Sequence, residues 1–298
     1  MRWSRFETRV PGKWVLAGEH AVLRGGTAVT LPHPQFSLKL SFKPGGLGLR
    51  VVPVAAESVI RDLLGAVSDY WESQGRSFQD PEGELLIESS IPVGAGLGSS
   101  AALCVAISRW IAEPLEHSAA EVFNFATQLE HRFHGRSSGM DVAAVSMGEP
   151  MSFEMNQGPK LLGVRKIPHF TFHDTGLRSR TSECVVRLEK QREDSPVAGM
   201  KIDEQMGSAT RACIEGLNHF DAGNTEHGLA QLARGMKQAQ ECFYEWQLVP
   251  GEGHRIVENL LKNGALAAKL TGAGGGGMIV ALWQDQEHAR ASMIGYAE

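Results

Sequence analysis

The sequence predicts an α+β protein built from two domains. Its 298 residues exceed the usual length of one domain. Strand-like alternation and helix-like spacing of apolar residues occur in both halves of the chain. The second block begins in the weakly patterned stretch Met151–Lys166. We therefore place the two domains at residues 1–165 and 166–298.

The first half contains predicted strands and helices in similar number. Residues Phe36–Phe42 alternate between apolar and polar side chains, and the turn sequence Pro44-Gly45-Gly46 ends this strand. In Ala119–Phe133 the apolar residues form one helical stripe. The same reasoning predicts strands at Trp14–Leu16 and Glu84–Ser90, and helices at Val59–Trp71 and Ala101–Ile111.

The second half is predicted to contain a few short strands and several helices. The charged, proline-containing segment Gln191–Pro196 is predicted to be a loop. Two predicted strands, Ala267–Leu270 and Gly277–Trp283, flank a glycine run. The other predicted elements are a strand at Ile167–Phe172 and helices at Ser182–Lys190, Glu204–Phe220, Thr225–Trp246 and Gly253–Asn263.

Composition excludes several classes of protein. Twenty-nine basic and 34 acidic residues give a net charge of −5, which argues against a nucleic-acid partner. The first residues lack the apolar core of a signal peptide, and no apolar run reaches the roughly 18 residues of a membrane span. Cys104, Cys184, Cys213 and Cys242 lie far apart, so we expect reduced, buried thiols. We expect a soluble, cytoplasmic protein.

A glycine-rich segment precedes the predicted helix at Ala101. Glycines permit positive φ, and the unpaired N–H groups of a helix start attract anions, so this arrangement suits phosphate. A plain turn with a serine helix cap is the structural alternative. The spacing matches neither a Walker A loop nor a dinucleotide-binding loop. The candidate phosphate-binding residues are Gly94, Ala95, Gly96, Leu97, Gly98, Ser99 and Ser100.

Two further segments carry polar residues next to glycines. Lys13 precedes the strand at Trp14–Leu16, and Glu19 and His20 follow it. A solvated lysine and a salt bridge in the turn are the structural alternatives there. The second segment is the run of five glycines within Gly272–Gly277, which is either a flexible hairpin loop or a loop that approaches another backbone or a ligand closely.

A carboxylate pair accompanies a turn in the first half. Glu130 lies near the end of one predicted helix, and Asp141 lies at the start of the next. Ser138 stands three residues before Asp141, so these two could form a capping box. Considered without any relative, this structural role is as plausible as a catalytic one.

Three segments together resemble the GHMP small-molecule kinases. They are PGK-x-x-L-x-GEHAV, P-x-GAGLGSSAA and KLTGAGGGG, and they occur in the order that is typical of that family. The resemblance implies a two-domain fold, with an N-terminal domain like domain 2 of ribosomal protein S5 and a ferredoxin-like C-terminal domain. GEHAV is most similar to the family members that phosphorylate mevalonate, and the resemblance implies ATP as donor and Mg²⁺ as cofactor. It also allows a homodimer.

The resemblance also implies roles for individual residues. Asp141 matches the catalytic base and Lys13 the lysine that lies beside it and contacts ATP, while Ser100 and Glu130 match the Mg²⁺ ligands. Ser89 matches a nucleotide contact. The matches to the substrate pocket are Glu19, His20, Ser138 and Thr181, and those to the segment supporting the phosphate loop are Gly272, Ala273, Gly274 and Gly275.

One segment departs from the family pattern and leaves the substrate open. Ser179 stands where the family usually has arginine, with Arg178 and Arg180 on either side. Either neighbour could supply a guanidinium to the substrate carboxylate. The alternatives are another GHMP kinase, such as one acting on phosphomevalonate, or a GHMP-fold binding protein without catalysis. The presence of Lys13, Glu130 and Asp141 together argues against the latter.

Overall fold

The computed structural model describes residues 3–73, 75, 78–113, 118–134 and 138–294. It consists of two compact units that are each discontinuous along the chain. The first unit comprises Met1–Lys13, Pro32–Pro92 and Gly98–Gly148, and the second comprises Trp14–Leu31, Val93–Leu97 and Glu149–Glu298. The predicted boundary between residues 165 and 166 stays a prediction.

Strands and helices occur in both units, which confirms the α+β class. The strands are β1 Phe6–Ala17, β2 Ala28–Pro44, β3 Leu49–Val52, β4 Gly83–Ser89, β5 Met151–Glu154, β6 Gly158–Leu161, β7 His169–Asp174, β8 Ala267–Thr271 and β9 Met278–Trp283. The helices are α1 Glu57–Ser73, α2 Ser99–Ala112, α3 Ala119–His134, α4 Met140–Met147, α5 Thr181–Asp194, α6 Pro196–Asp221, α7 Thr225–Glu245, α8 Gly251–Lys262 and α9 Gln286–Ile294.

In the first unit, helices cover a mixed sheet. β2 pairs antiparallel with β4, with Leu38 opposite Ser89, and β4 pairs parallel with β3. Leu38, Leu40 and Phe42 are buried because alternate residues of a strand point to the same face. Helix α2 is buried along nearly its whole length and packs against α3 and α4, so the element after the phosphate-binding segment forms the core of this unit.

The second unit is built around an antiparallel sheet of β7, β9 and β8 in that order. All residues of β8 and β9 are buried, including Lys269 within β8. Helices α6 and α7 form a closely packed hairpin, and α7 also packs against β8. A Cβ on Gly228 would lie 2.7 Å from the Phe220 nitrogen, so this glycine allows the two helices to approach closely.

One detail of the predicted secondary structure is wrong, and one segment without a predicted element contains two strands. The predicted loop Gln191–Pro196 is helical apart from Ser195, because α5 continues to Asp194 and α6 begins at Pro196. Proline is favourable at the first position of a helix, where its missing N–H is not needed. The weakly patterned stretch Met151–Lys166 contains the short hairpin of β5 and β6.

The environment of the cysteines and the character of the helices can be compared with what composition predicts. All four cysteines are buried, as predicted, and none is paired with another cysteine among the described residues. Within the described part of the chain, no helix combines the length and the apolar character that crossing a membrane requires.

Candidate active site

A buried lysine and a partly exposed aspartate form the centre of the candidate site in the first unit. Lys13 Nζ lies 3.0 Å from Asp141 Oδ1, and the two side chains are 3% and 35% exposed. Lys13 is held by strand β1, and Asp141 is the second residue of α4. Both residues are predicted to take part in catalysis, and the structure brings them together.

The start of α2 lies against the same lysine. Gly98 is the N-cap residue of α2 with φ of 76°, and a Cβ on it would lie 3.0 Å from Lys13 Cγ and 3.3 Å from Cε. Only glycine adopts this backbone conformation at low cost and leaves room for the lysine stem. Ser99 and Ser100 follow in the first turn, and Gly98 itself has no side chain that could cap the helix. Because the first N–H groups of an α-helix have no acceptor within the helix, this helix start is suited to an anion.

Glu130, in α3, lies near the face of α2 that carries Ser100. Glu130 in α3 is 1% exposed, and its charge, after burial, raises the pKa of the Cys104 thiol. Because Cys104 is four residues after Ser100 on α2, both side chains lie on one helix face. Among the described residues, no group of three or more His, Cys, Asp or Glu side chains is arranged to hold a metal ion. A carboxylate and a hydroxyl are nevertheless suitable donors for an ion that phosphate oxygens also bind.

Two serines have local structural contacts. The predicted capping box of Ser138 and Asp141 does not form, because Gly139 and not Ser138 is the N-cap residue of α4. The Met140 amide instead donates to Ser138 Oγ at 3.3 Å. Ser89 is exposed at the end of β4, and its Oγ accepts a hydrogen bond from the Ile91 amide at 3.2 Å.

In the second unit, residues 93–97 lie directly on the glycine run. A Cβ on Gly96 would lie 3.2 Å from the Thr271 carbonyl oxygen, and one on Gly277 would lie 2.8 Å from the Ala95 carbonyl oxygen. Gly96 and Gly272 both have positive φ, of 77° and 91°. Side chains at these positions would separate the two backbones, so the run approaches another backbone closely and is not a free hairpin loop.

Glu19 is held by a buried ion pair that the sequence analysis did not predict. Lys269 Nζ lies 2.5 Å from Glu19 Oε1, and the two side chains are 0% and 3% exposed. The same ammonium donates to the Val15 carbonyl at 3.3 Å, and Thr271 Oγ1 bonds both backbone groups of Val15 at 2.9 Å. The only signal in the sequence was a lysine inside an otherwise apolar strand.

His20 is buried, neutral and strained. Its Nε2 lies 2.8 Å from the Ala273 carbonyl oxygen, and its ring packs edge-on against Trp246 at 5.2 Å between centroids. Burial lowers the pKa of His20 to about 4, so the ring is neutral at pH 7 and Nε2 carries the proton donated to Ala273. Its φ of 59° is unusual for a residue with a side chain.

In the segment Arg178–Thr181, which departs from the family pattern, the first two side chains make contacts within the second unit and the last two are exposed. Arg178 donates to both carboxylate oxygens of Asp174 at 2.7 Å and, through Nε, to the Val93 carbonyl at 3.2 Å. Ser179 Oγ donates to the Gly274 carbonyl. Arg180 and Thr181 are exposed at the start of α5, and no ion pair of Arg180 occurs within the described ranges.

Comparison with known proteins supports the resemblance. The family described as GHMP kinases N terminal domain matches residues 59–149, and the one described as GHMP kinases C terminal matches residues 226–291. Together the two matches cover just over half of the chain.

Relatives align over nearly the full length. The chain is similar to the mevalonate kinase of Aeropyrum pernix, with 28% identity over 94% of this chain and 89% of the relative. It is also similar to that of Archaeoglobus fulgidus, with 29% identity over 93% and 92%. The crystal structure of L. major mevalonate kinase in complex with R-mevalonate has the same fold, with a TM-score of 0.82, 24% identity and coverage of 98% and 92%. The chain belongs to the GHMP kinase family.

Proposed function

We propose that this protein is an ATP-dependent kinase that phosphorylates the primary alcohol of mevalonate. The observation that carries the proposal is the contact of 3.0 Å between buried Lys13 and partly exposed Asp141, beside the glycine-capped start of α2. A protein that only bound its ligand would not need a base at this position. The relatives named mevalonate kinase, aligned over more than nine-tenths of the chain, support this alcohol as the substrate.

Asp141 and Lys13 would divide the chemical work. The hydroxyl oxygen of mevalonate attacks the γ-phosphorus of ATP, the bond from that phosphorus to the bridging oxygen breaks, and ADP leaves. Asp141 accepts the hydroxyl proton. Lys13 stabilises the negative charge on the transferred group, while its ion pair holds Asp141 in place.

Backbone N–H groups would bind the phosphates of ATP. Gly94–Ser100 supplies glycines with positive φ at three positions and ends at the start of α2, whose N-cap residue is Gly98. Such N–H groups, together with the positive end of the helix dipole, favour a phosphate anion. The close contact of Gly96 with Gly272 would keep this segment from collapsing when no nucleotide is bound.

Ser100 and Glu130 would hold Mg²⁺ on the nucleotide. Mg²⁺ prefers hard oxygen ligands, and it is usually bound by one or two carboxylates together with phosphate oxygens. When bound, the ion neutralises phosphate charge. Glu130 is buried in α3 on the side that Ser100 faces, which fits this donor set.

Glu19, His20, Ser138 and Thr181 would contact or shape the site for the alcohol. With its Nε2 proton donated to Ala273, His20 presents Nδ1 as an acceptor. Glu19 is held in place by its buried ion pair with Lys269. We further propose that the enzyme acts in the cytoplasm on this small molecule, without nucleic-acid or membrane partners, and that a homodimer is compatible with its function.

The decisive experiment measures ADP release with ATP and each of four alcohols: mevalonate, phosphomevalonate, homoserine and galactose. We expect turnover with mevalonate at least tenfold above the others, and loss of that turnover in the matched Asp141→Asn variant, which excludes a contaminating kinase. A preference for phosphomevalonate would replace the proposed substrate with the alternative. Binding of ATP without turnover on any alcohol would favour a non-catalytic protein.

A further inference from the structure

The turn around His20 has an unfavourable backbone conformation. The Ala21 amide donates to the Glu19 carbonyl at 2.6 Å, which closes a three-residue γ-turn with His20 at its centre. With φ of 59° and ψ of −44°, His20 adopts the rare form of this turn. Such a conformation persists only where surrounding contacts hold it, and residues of this kind concentrate at functional sites.

Two of the contacts that hold this turn belong to segments already described. Lys269 pairs with the Glu19 carboxylate on one side, and the Ala273 carbonyl accepts from His20 on the other. Both come from β8 and the glycine run. Neither restrains the chain after His20, which continues as a short 3-10 turn over Ala21–Arg24.

Helix α6 supplies the restraint on that side. Arg24 donates through Nε to Asp203 Oδ2 at 2.7 Å and through Nη2 to Oδ1 at 2.5 Å. One helical turn later, Met206 Sδ accepts from the Gly18 amide at 3.2 Å. Asp203 and Met206 lie on one face of α6, so this face contacts the turn both before and after His20.

Asp203 also forms an ion pair with a second arginine. Arg192, in the last turn of α5, donates to Asp203 Oδ2. Gly199 makes this possible, because a Cβ there would lie 2.8 Å from Arg192 Cγ. One carboxylate therefore connects the turn at His20 to α5, the helix that begins at Thr181.

We propose that Asp203 is a positioning residue for the alcohol substrate, acting through Arg24 on the turn that carries His20. The inference rests on the proposed function, which assigns His20 to the substrate site. The pair of Arg24 and Asp203 is partly exposed and therefore contributes little to stability, but a two-point contact from a guanidinium fixes geometry. Loss of this contact would allow the turn to relax toward a more favourable backbone conformation and move the imidazole.

The first test compares KM and kcat in Asp203→Asn and Arg24→Gln. We expect KM for mevalonate to rise roughly five- to twentyfold, less than the ten- to hundredfold scale of a charge-assisted hydrogen bond to the substrate itself, because Asp203 acts through Arg24. The change in kcat should be smaller, and KM for ATP should stay within twofold. The double variant should be no worse than the poorer single variant, because both changes remove one contact. Arg192→Gln keeps the Arg24 contact and should change KM for mevalonate less than twofold.

A merely structural role predicts a different result. Asp203→Asn would then lower the unfolding temperature, with mevalonate and ATP kinetics unchanged or impaired equally, and this would overturn the proposal. Arg24→Gln removes the same contact from the other side, so it decides the question if Asp203→Asn does not fold. Glu84→Gln, which breaks the exposed ion pair with Arg50 in the first unit, is the matched control.

A second measurement does not depend on activity. In histidine-labelled protein, the NMR signal of the His20 imidazole, identified by its loss in His20→Gln, should shift in Asp203→Asn and Arg24→Gln and remain in place in Glu84→Gln. If the unaltered protein does not turn over mevalonate, the proposed function fails while this measurement still tests the position of His20. An unmoved signal in both variants would overturn the positioning role.

Discussion

At the scale of single residues, replacing Asp141 should have the largest effect on turnover. Asp141→Asn keeps the shape of the side chain but removes its ability to accept a proton, so we expect kcat to fall by roughly 10²–10⁴-fold. KM for ATP should stay within a few-fold, because the start of α2 is unaltered. Steady-state ADP release measures both constants. Turnover near that of the unaltered protein in a folded variant would contradict the assignment.

Glu130 should determine the response to magnesium. Glu130→Gln replaces a proposed carboxylate ligand with a weaker neutral one, so the Mg²⁺ concentration needed for half-maximal activity should rise roughly tenfold or more. Ser100→Ala should have a milder effect in the same direction. Glu113→Gln, an exposed carboxylate at the end of α2, serves as the control. Unchanged magnesium titrations in both site variants would indicate a purely structural role for these helix residues.

Substitutions of Arg178 and Arg180 should change KM for different substrates. Arg178 is committed to Asp174 and to the Val93 carbonyl, so Arg178→Ala should raise KM for ATP several-fold by loosening the phosphate-binding segment. Arg180 is exposed, and Arg180→Ala should raise KM for mevalonate by roughly ten- to a hundredfold if its guanidinium meets the carboxylate.

Kinetics with each substrate varied in turn separate the two effects of these arginine variants. Asp174→Asn is the matched variant for Arg178, because it breaks the same pair. A rise in KM for mevalonate with Arg178→Ala alone would reverse the assignment. No change in either KM for Arg180→Ala would remove arginine from the account of substrate recognition.

At the scale of elements, the phosphate-binding segment depends on its glycines to different degrees. Gly98→Ala forces a side chain into positive φ, at a cost of about 1–2 kcal/mol, and against the stem of Lys13. Gly96→Ala meets the Thr271 carbonyl at 3.2 Å, whereas Gly94→Ala meets only the flexible Arg178 side chain at 3.4 Å. We expect kcat/KM for ATP to fall at least tenfold for Gly98→Ala and Gly96→Ala and less for Gly94→Ala. An equal fall of kcat/KM in all three variants would show that the positive φ, and not the space around each glycine, determines the effect.

The sequence predicted elements with a regular apolar pattern and missed those without one. The helix at Val59–Trp71 was recognisable because its buried residues recur with helical spacing, and the structure has α1 there. The β5–β6 hairpin was missed because each strand has only four residues. Charge and proline indicated a loop at Gln191–Pro196, but a solvated helix face and a helix start carry the same residues.

The candidate site shows the same division. The glycine-rich segment before α2 was recognisable as a phosphate-binding candidate because positive φ restricts residue choice locally. The roles of Lys13 and Asp141 were predicted only through the family resemblance. The pairs Lys269–Glu19 and Asp203–Arg24 join residues 250 and 179 positions apart. No local pattern in one sequence shows such pairs, since they follow from the packing of whole elements.

At the scale of the whole molecule, stability should fall in mild acid. Burial lowers the pKa of His20 and of His33 to about 4, so both rings are neutral in the folded protein. In the unfolded chain they bind protons below about pH 6.5. The free energy of unfolding should therefore decrease as pH falls from 6.5 to 4, by about 3 kcal/mol for His20 alone, and stay level above this window.

Urea unfolding at several pH values between 7 and 4.5 measures this decrease. His20→Gln should flatten part of the slope, leaving the contribution of His33. His169→Gln, which changes an exposed histidine of β7, should leave the slope unaltered. An equally steep slope in His20→Gln and in the unaltered protein would show that other groups control acid stability.

The buried pair of Lys269 and Glu19 limits where this chain can be divided into fragments that fold. Glu19 belongs to the second unit although it lies near the start of the chain. A fragment that begins at residue 166 would retain the lysine and lose its counter-charge, leaving an ammonium without compensation in an apolar interior. The C-terminal half is therefore not an independent module, and recombination between relatives would have to exchange Trp14–Leu31 together with the last strands.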